Sequence, residues 1–536
     1  DAIWFGRKSA GGAYPHFTVD STVVRSKIAE TLEVANQICE RYGVRVGHVF
    51  HAGDGNLHPS ILMDEADAQQ VERVLQAARD IMEQIALRDG AITGEHGVGI
   101  EKREFMLLMY SAQELATMWD IKQVFDPDNL MNPGKVFPTQ MPTVNPPPMA
   151  QTAPSNVFAP ASAEEAAAGL KKLSESKQPI IINGQGKNAI TLSTQALTGI
   201  QKYAPDDLYI TVGAGTTLGE VQSFLGKEGR QVPLASPWQQ ATIGGLVAAN
   251  INSPQRMLYG SMRDQVLCAT VAFADGRVIR AGRPVVKNVA GYDLPKVLVG
   301  SYGTLGLLTD VTLKLMPLPR AKRTLLIPFD TIEQGLACGV ELLSQAIVAS
   351  AIVLCQGAPV PNLSSNFVLA YTAEGIAQDV DAELTQVQDI VRRIGTAQPV
   401  SVQNPSGTEL WAELVGNPTA MQVRIGLAPK DVSAFAKEHL SKLGSGAFLA
   451  DIANGQIYIA AEMNDPQQAK NWLDEWRRPA LAMGGYALIT QMPNEWEHAI
   501  DRWGYRPESI DLMRRLKARW DPANILGIGT FVVDQP

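Results

Sequence analysis

Apolar residues recur at spacings of three and four along SKIAETLEVANQICERYG (26–43) and AQQVERVLQAARDIMEQIALRDG (68–90). That spacing predicts two amphipathic helices, with GVRVGHVF (43–50) between them reading as a strand. Further on, Ser162 and Glu165 stand as S-x-x-E ahead of the helical run AEEAAAGLKKLSESK, and the apolar strand QPIIIN follows. Past residue 320 the alternation returns. TLLIPF, IEQGLACGVELLSQ, AIVLC, FVLAYT and VDAELTQVQDIVRRIG predict strand, helix, strand, strand, helix. This order suggests ferredoxin-like βαβ units.

Between the two patterned regions the signal stops. Prolines at 138, 142, 146, 147, 148, 154 and 160 cannot continue a helix or a central strand, so this stretch reads as an extended linker. An internal echo gives a second division. IKQVFDPDNLMNPGKVF (121–137) and LKARWDPANILGIGTFV (516–532) each run from a helix end through an aromatic and Asp-Pro to a small apolar turn. Such a period is too long for a solenoid and suggests two copies of one module with the same ending. The second copy spans about 380 residues and the first only 137, so the first is expected to lack its front part.

At 536 residues the chain exceeds one core. A net charge of -9, without a long Lys/Arg run, argues against nucleic acid as the main partner. The four cysteines (39, 268, 338, 355) form no CxxC, which excludes a readable four-cysteine zinc or iron–sulfur site and fits a reducing compartment. No apolar run reaches the roughly 18–20 residues of a membrane helix.

The candidate chemistry lies in HAGDGNLH (51–58) and GEHGVG (94–99). His51 and His58 flank a glycine-rich turn, and Glu95 beside His96 sits between glycines. Two imidazoles and a carboxylate with an open position make a Lewis-acid site for zinc or another divalent ion, such as manganese or iron. For any one histidine the alternative is a buried hydrogen bond. Five of the 7 histidines lie within the first 96 residues, which favours a site.

HAGDGNLH, GEHGVG and FDPDNLMNPGKVF together resemble the C-terminal cap of the FAD-linked oxidase family. That family includes the D-type component of glycolate oxidase, D-lactate dehydrogenases and D-2-hydroxyglutarate dehydrogenase. The resemblance implies that His51, His58 and Glu95 bind a divalent metal. It further implies that His96 takes the hydroxyl proton as hydride leaves for flavin N5, and that Arg7 holds the substrate carboxylate. Ser60 stands where some relatives carry Asn, a departure from that pattern.

The second module carries glycine-rich turns after strands: IIINGQGKN (180–188), LYITVGAGTTLGE (208–220), SPWQQATIGGLVAAN (236–250), YGSMRDQV (259–266) and KNVAGYDLPKVLVGSYGTLG (287–306). The 208–220 turn misses the dinucleotide fingerprint by one residue and has no acidic residue about 20 positions on, so an NAD site is discounted. In this order the turns resemble the flavin domain of the same family, that of the E-type glycolate oxidase component above all. Carried over by motif, the implied FAD contacts are Gly184, Gly186, Lys187, Thr242, Gly244, Gly245, Gly260, Ser261, Asp264, Asn288, Gly291, Tyr292, Asp293, Gly303 and Leu305. No histidine lies between His96 and His439, so FAD is expected to be non-covalent.

The expected fold is α+β, a PCMH/VAO-type FAD-binding domain with two ferredoxin-like α+β caps. The expected division is a metal and substrate cap (1–137), a Pro-rich linker (138–160), the flavin domain (161–320) and a second cap without the metal motif (321–536). The chain then reads as a fusion of the D-type and E-type components of glycolate oxidase, apparently truncated at its N-terminus. The implied activity is oxidation of a small 2-hydroxy acid, glycolate or D-lactate, with electrons passing to an iron–sulfur partner subunit. The location implied is cytoplasmic, peripheral at the inner membrane through a partner. The competing reading is a non-catalytic FAD-binding assembly or electron-relay subunit.

Overall fold

Both helices expected near the front of the chain form, as Ile28–Arg41 and Ala68–Ala86. The apolar stripe of the second buries Val74, Ala77, Ala78, Ile81, Met82 and Ile85, and Asp67 caps it by accepting from Gln69 and Gln70 N–H. The computed structural model describes residues 16–144, 156–182, 189–357, 366–395, 398–418, 421–444, 446–496 and 499–532. Arg7, Gly184, Gly186, Lys187 and His498 lie outside the described residues, as does the middle of the Pro-rich stretch.

The two helices cover a small antiparallel sheet whose central strand, Asn56–Leu62, is buried throughout and pairs with His16–Thr18, Ser21–Thr22 and Val46–His51. The flavin-domain region has two layers. A parallel three-stranded sheet (Val157–Phe158, Ile190–Leu192, Ile180–Ile182) carries the helix Ala163–Glu175. Ser162 caps that helix through Glu165 N–H, whereas the Glu165 carboxylate accepts from Ala161, one residue before the expected Ser162. Beside it stands an antiparallel five-stranded sheet, in the order Val278–Gly282, Val266–Ala272, Leu307–Lys314, Tyr209–Gly213, Ile200–Ala204. The region after 320 forms one eight-stranded antiparallel sheet, in which two ferredoxin-like halves join where Ala349–Gln356 pairs with Ala447–Asp451.

The echo of 121–137 in 516–532 extends to individual hydrogen bonds. At the end of the helix Ala112–Phe125, Lys122 Nζ binds Asp126 and Met131 O, and Asp126 accepts from Leu130 N (2.8 Å) and Met131 N (2.9 Å). At the end of Ile510–Trp520, Lys517 Nζ binds Asp521 (2.5 Å) and Leu526 O (2.8 Å). Asp521 accepts from Ile525 N (3.1 Å) and Leu526 N (2.8 Å). Each buried ammonium thus holds its own carboxylate and ties the helix to the turn after it.

Among the described residues, only the second copy of this device hydrogen-bonds to the flavin-domain region. Lys517 also donates to Thr304 O (3.0 Å), and Ile180 N donates to Ile525 O (2.9 Å), adding Leu526 to the small sheet. In the first copy Leu130 and Met131 are 78% and 55% exposed. The front region instead packs its core against the five-stranded sheet, and a buried carboxylate pins the joint. Asp120 receives Arg277 (2.9 Å), Arg519 (2.5 Å) and Trp520 Nε1 (3.2 Å), linking all three parts of the chain.

Candidate functional site

A sharp hairpin builds the histidine site. His51 ends one strand, residues 52–55 turn, and His58 lies two places into the returning strand, which begins at Asn56 opposite His51. Gly55 sits at φ +74°, and a Cβ there would come within 2.0 Å of Val23 O, so only glycine closes this turn. The two imidazoles meet edge to face at 5.5 Å, and the His96 ring stacks on His58 at 5.2 Å.

The GEHG segment is held by Asp20, a residue with no motif around it to mark it in the sequence. Asp20 is fully buried, and its Oδ2 accepts from Thr93 Oγ1 (2.6 Å) and from the N–H groups of Gly94 (3.1 Å), Glu95 (3.1 Å) and His96 (2.9 Å). Burial by itself would raise the Asp20 carboxyl. The hydrogen bonds from Thr93 and His96 and the charge of Lys102 outweigh it, so Asp20 stays below the usual carboxylate range. Burial in turn brings the Lys102 ammonium down to about 8, against the opposing pull of Asp20.

The folded chain brings His51, His58 and Glu95 together, with one ligand atom of each inside a 4.8 Å span. Glu95 Oε1 is 4.0 Å from His51 Nε2, and Oε2 is 3.8 Å from His58 Nε2. Ligands about 2.1 Å from a tetrahedral ion stand roughly 3.4 Å apart, so the three side chains, whose ligand atoms lie within 4.8 Å of one another, would draw together around a divalent ion. Burial lowers the His58 pKa, which keeps a ligating lone pair available, and its buried Nδ1 has no hydrogen-bond partner. Asp20 Oδ1 lies 3.7 Å from that nitrogen, beyond hydrogen-bond distance.

Lys287, from the flavin-domain region, likewise joins the site without a signal in the sequence. Its ammonium bridges Glu95 Oε1 (2.5 Å) and Asp54 (2.7 Å), and those two hydrogen bonds raise its pKa. The contact with Lys287 depresses the Glu95 carboxyl and occupies one oxygen, leaving Oε2 toward the histidines. His48 and His439 stand elsewhere, His48 bonded to Asn36 (2.8 Å) and His439 packed on Phe435.

The residues expected at the flavin separate into several places. Gly244, Gly245 and Gly303 line a groove of about 230 Å³ between the small and large sheets, together with Ile182, Thr194 and Ala214. A Cβ on Gly303 (φ +71°) would meet Ile182 Cδ1 at 2.6 Å, so the walls of this cradle depend on a missing side chain. Thr242 and Gly245 also line an adjoining chamber of about 430 Å³ against the eight-stranded sheet. Asp264, Asn288, Tyr292 and Asp293 border a polar cavity of about 150 Å³ away from the groove, and Gly291 lies against Met106 and Met118. Gly260 and Ser261 form a turn closed by Asp264, and Leu305 faces a further cavity beside Trp503. The groove gathers three of the expected flavin contacts, Gly244, Gly245 and Gly303, in one place. Among the described residues, none from the front region lines the groove or the chamber.

The second cap repeats the strand plan of the front region without its ligands. Ser21 and Thr22 pair with Leu57 and Asn56, as Ile425 and Gly426 pair with Ile457 and Gln456. Val23 N bonds Gly55 O and Leu427 N bonds Gly455 O; Gly90 N bonds Ile85 O and Gly485 N bonds Ala480 O. This register sets Asp451, Tyr458 and Thr490 at the positions of His51, His58 and Glu95. Arg424 takes the position of Asp20, and Gln491 that of His96.

Residues 2–136 match the family described as FAD linked oxidases, C-terminal domain, and residues 154–282 match the FAD binding domain family. The chain thus carries one region matching each of these two families. It is 35% identical to a D-lactate dehydrogenase of Archaeoglobus fulgidus over 37% of this chain and 47% of that protein. In Escherichia coli K12 it is 39% identical to the glycolate oxidase component GlcE (28% of this chain, 45% of that one) and 39% identical to the component GlcD (26% and 28%). The chain therefore matches less than half the length of each of these relatives. The fold is that of p-cresol methylhydroxylase, at a TM-score of 0.55 and 17% identity over 71% of this chain and 89% of that one. No helix among the described residues is long and apolar enough to cross a membrane.

Proposed function

We propose that the chain serves in a FAD-dependent dehydrogenase that oxidises a small 2-hydroxy acid, glycolate or D-lactate, to its 2-oxo acid. The observation carrying this reading is the meeting of His51, His58 and Glu95 within 4.8 Å, with the His96 ring against them. When bound, a divalent ion would lower the pKa of a chelated hydroxyl, and FAD would accept the hydride. His51, His58 and Glu95 would hold the ion. His96 receives the hydroxyl proton. Asp20 fixes the turn that carries His96, and Lys287 fixes Glu95 by its other oxygen. Arg7 is proposed to hold the substrate carboxylate.

The flavin that receives the hydride is proposed to lie outside this chain's own groove. Two observations support this: the groove opens toward the second cap, and the exposed Leu130–Met131 turn repeats the docked Ile525–Leu526 turn without a flavin domain against it. An iron–sulfur partner is proposed as the electron acceptor; Cys39, Cys268, Cys338 and Cys355 are each buried and free. The second reading, an electron-relay or assembly role for the flavin half, is favoured by the missing metal ligands in the second cap. Metal analysis and 2-hydroxyacid oxidation by the full-length gene product test the first reading. One zinc, manganese or iron per chain and loss of at least 100-fold in His96→Ala are expected, a general-base effect being about 10²–10⁴-fold. A metal-free active enzyme, or an unimpaired His96→Ala variant, overturns it.

A further inference from the structure

The register that sets Arg424 at the position of Asp20 changes what the second cap can bind. Asp20 meets Thr93, Gly94, Glu95, His96 and Lys102, and all of its work is internal. Arg424 makes no hydrogen bond or ion pair with any described side chain, and its Nε is buried without a partner. Its surroundings are phenols: Tyr486, whose ring centroid lies 6.0 Å from the guanidinium, and then Tyr458, Tyr302 and Tyr505. Phenols carry no charge to balance a guanidinium near neutral pH. Arg424 is half-buried, and a guanidinium with an unpaired buried Nε and only phenols around it leaves hydrogen-bonding capacity that an anionic ligand can meet.

The place it faces has the shape of a binding site. Arg424 and Tyr458 line the chamber of about 430 Å³ together with Trp238, Trp411, Trp503 and Tyr302. Gly245, Ala249 and Tyr302 belong to both this chamber and the flavin groove, so an occupant of the chamber touches an occupant of the groove. The walls are mostly aromatic and aliphatic, with two arginines, Arg424 and Arg502, among the lining residues. A two- or three-carbon hydroxy acid would leave most of this space unfilled. The second cap also has no imidazole at the positions of His51, His58 or His96.

We propose that the chamber between the flavin groove and the second cap binds an organic monocarboxylate with an apolar or aromatic body, its carboxylate paired with Arg424. The site is distinct from the histidine site and stands whether or not that site holds a metal.

The test uses the full-length, FAD-loaded protein. Phenylacetate, 3-phenylpropionate and octanoate are titrated against their neutral primary amides, following the flavin absorption band and the heat of binding. Saturable binding of at least one acid, with its amide at least about 10-fold weaker, is expected. Arg424→Met should weaken that acid by about 30-fold or more while Arg424→Lys restores part of the affinity. Should Arg424→Met fail to fold, Val415→Trp provides the second arm, since it reduces the chamber's volume while keeping Arg424, and should abolish binding. Binding of none of the three acids overturns the proposal. So does equal binding of acid and amide, or unchanged affinity in Val415→Trp.

Discussion

At the scale of single residues, the site depends on groups that carry no chemistry of their own. Gly55 closes the histidine hairpin at a φ of +74° with Val23 O pressed against it. Gly55→Ala is expected to destabilise the protein by about 1–3 kcal/mol and to release bound metal, read by thermal melts and metal content. Asp451, the counterpart of His51, titrates with the opposite sign to Asp20. Burial raises its carboxyl to about 7, so the folded state holds a proton that the unfolded chain has already released. Its contribution is present below the unfolded value near 4 and is lost as pH rises to about 7. Asp451→Asn should remove that loss, and the melting temperature of the variant should gain on the wild type across that window. A constant difference between the two from pH 4 to 7 would refute it. His51, His58, Glu95 and His96 were legible in sequence because rare residue types stood in a glycine-rich frame. Asp20 and Lys287 were not, since a lone carboxylate or ammonium has no local signature and each acts across more than 70 positions of chain.

Among the elements, the two terminal helices offer a matched comparison. Lys122 and Lys517 each bind a carboxylate four residues on and a carbonyl beyond it, but only Lys517 also reaches Thr304 O of the flavin-domain region. Replacing either by Met leaves a buried carboxylate uncompensated, worth about 3–5 kcal/mol. Lys517→Met should in addition lower FAD retention, measured as flavin-to-protein ratio after gel filtration, while Lys122→Met should not. Equal retention in both would show that the docked turn does not brace the groove. The period-3.6 stripes of Ile28–Arg41 and Ala68–Ala86 and the Asp-Pro endings were readable because each is local. The joining of two four-stranded halves into one eight-stranded sheet was not, because strand partners are set by edges far apart in sequence.

For the molecule as a whole, Asp120 is the residue on which the three parts converge. Arg277, Arg519 and Trp520 all point at its two oxygens. Asp120→Ala removes one of the two carboxylates on the buried Arg277, which keeps Asp275, and leaves Trp520 Nε1 without its acceptor; it is expected to cost about 1–3 kcal/mol. Limited proteolysis should then release the front region faster than in the wild type; unchanged cleavage would count against the joint. The arrangement also sorts the expected flavin contacts. Gly244, Gly245 and Gly303 share the groove, whereas Asn288, Tyr292 and Asp293 share a different cavity and Gly291 faces the front region.

The sequence by itself determined the histidine and glutamate set, the glycine turns and the repeated ending, since each is written in neighbouring residues. Tertiary structure alone decided which surface each site faces. It turned the flavin groove toward the second cap, set Lys287 against Glu95, and exchanged Asp20 for Arg424 at one place in the strand register. Packing of distant segments fixes those relations, and no local run of residues records it.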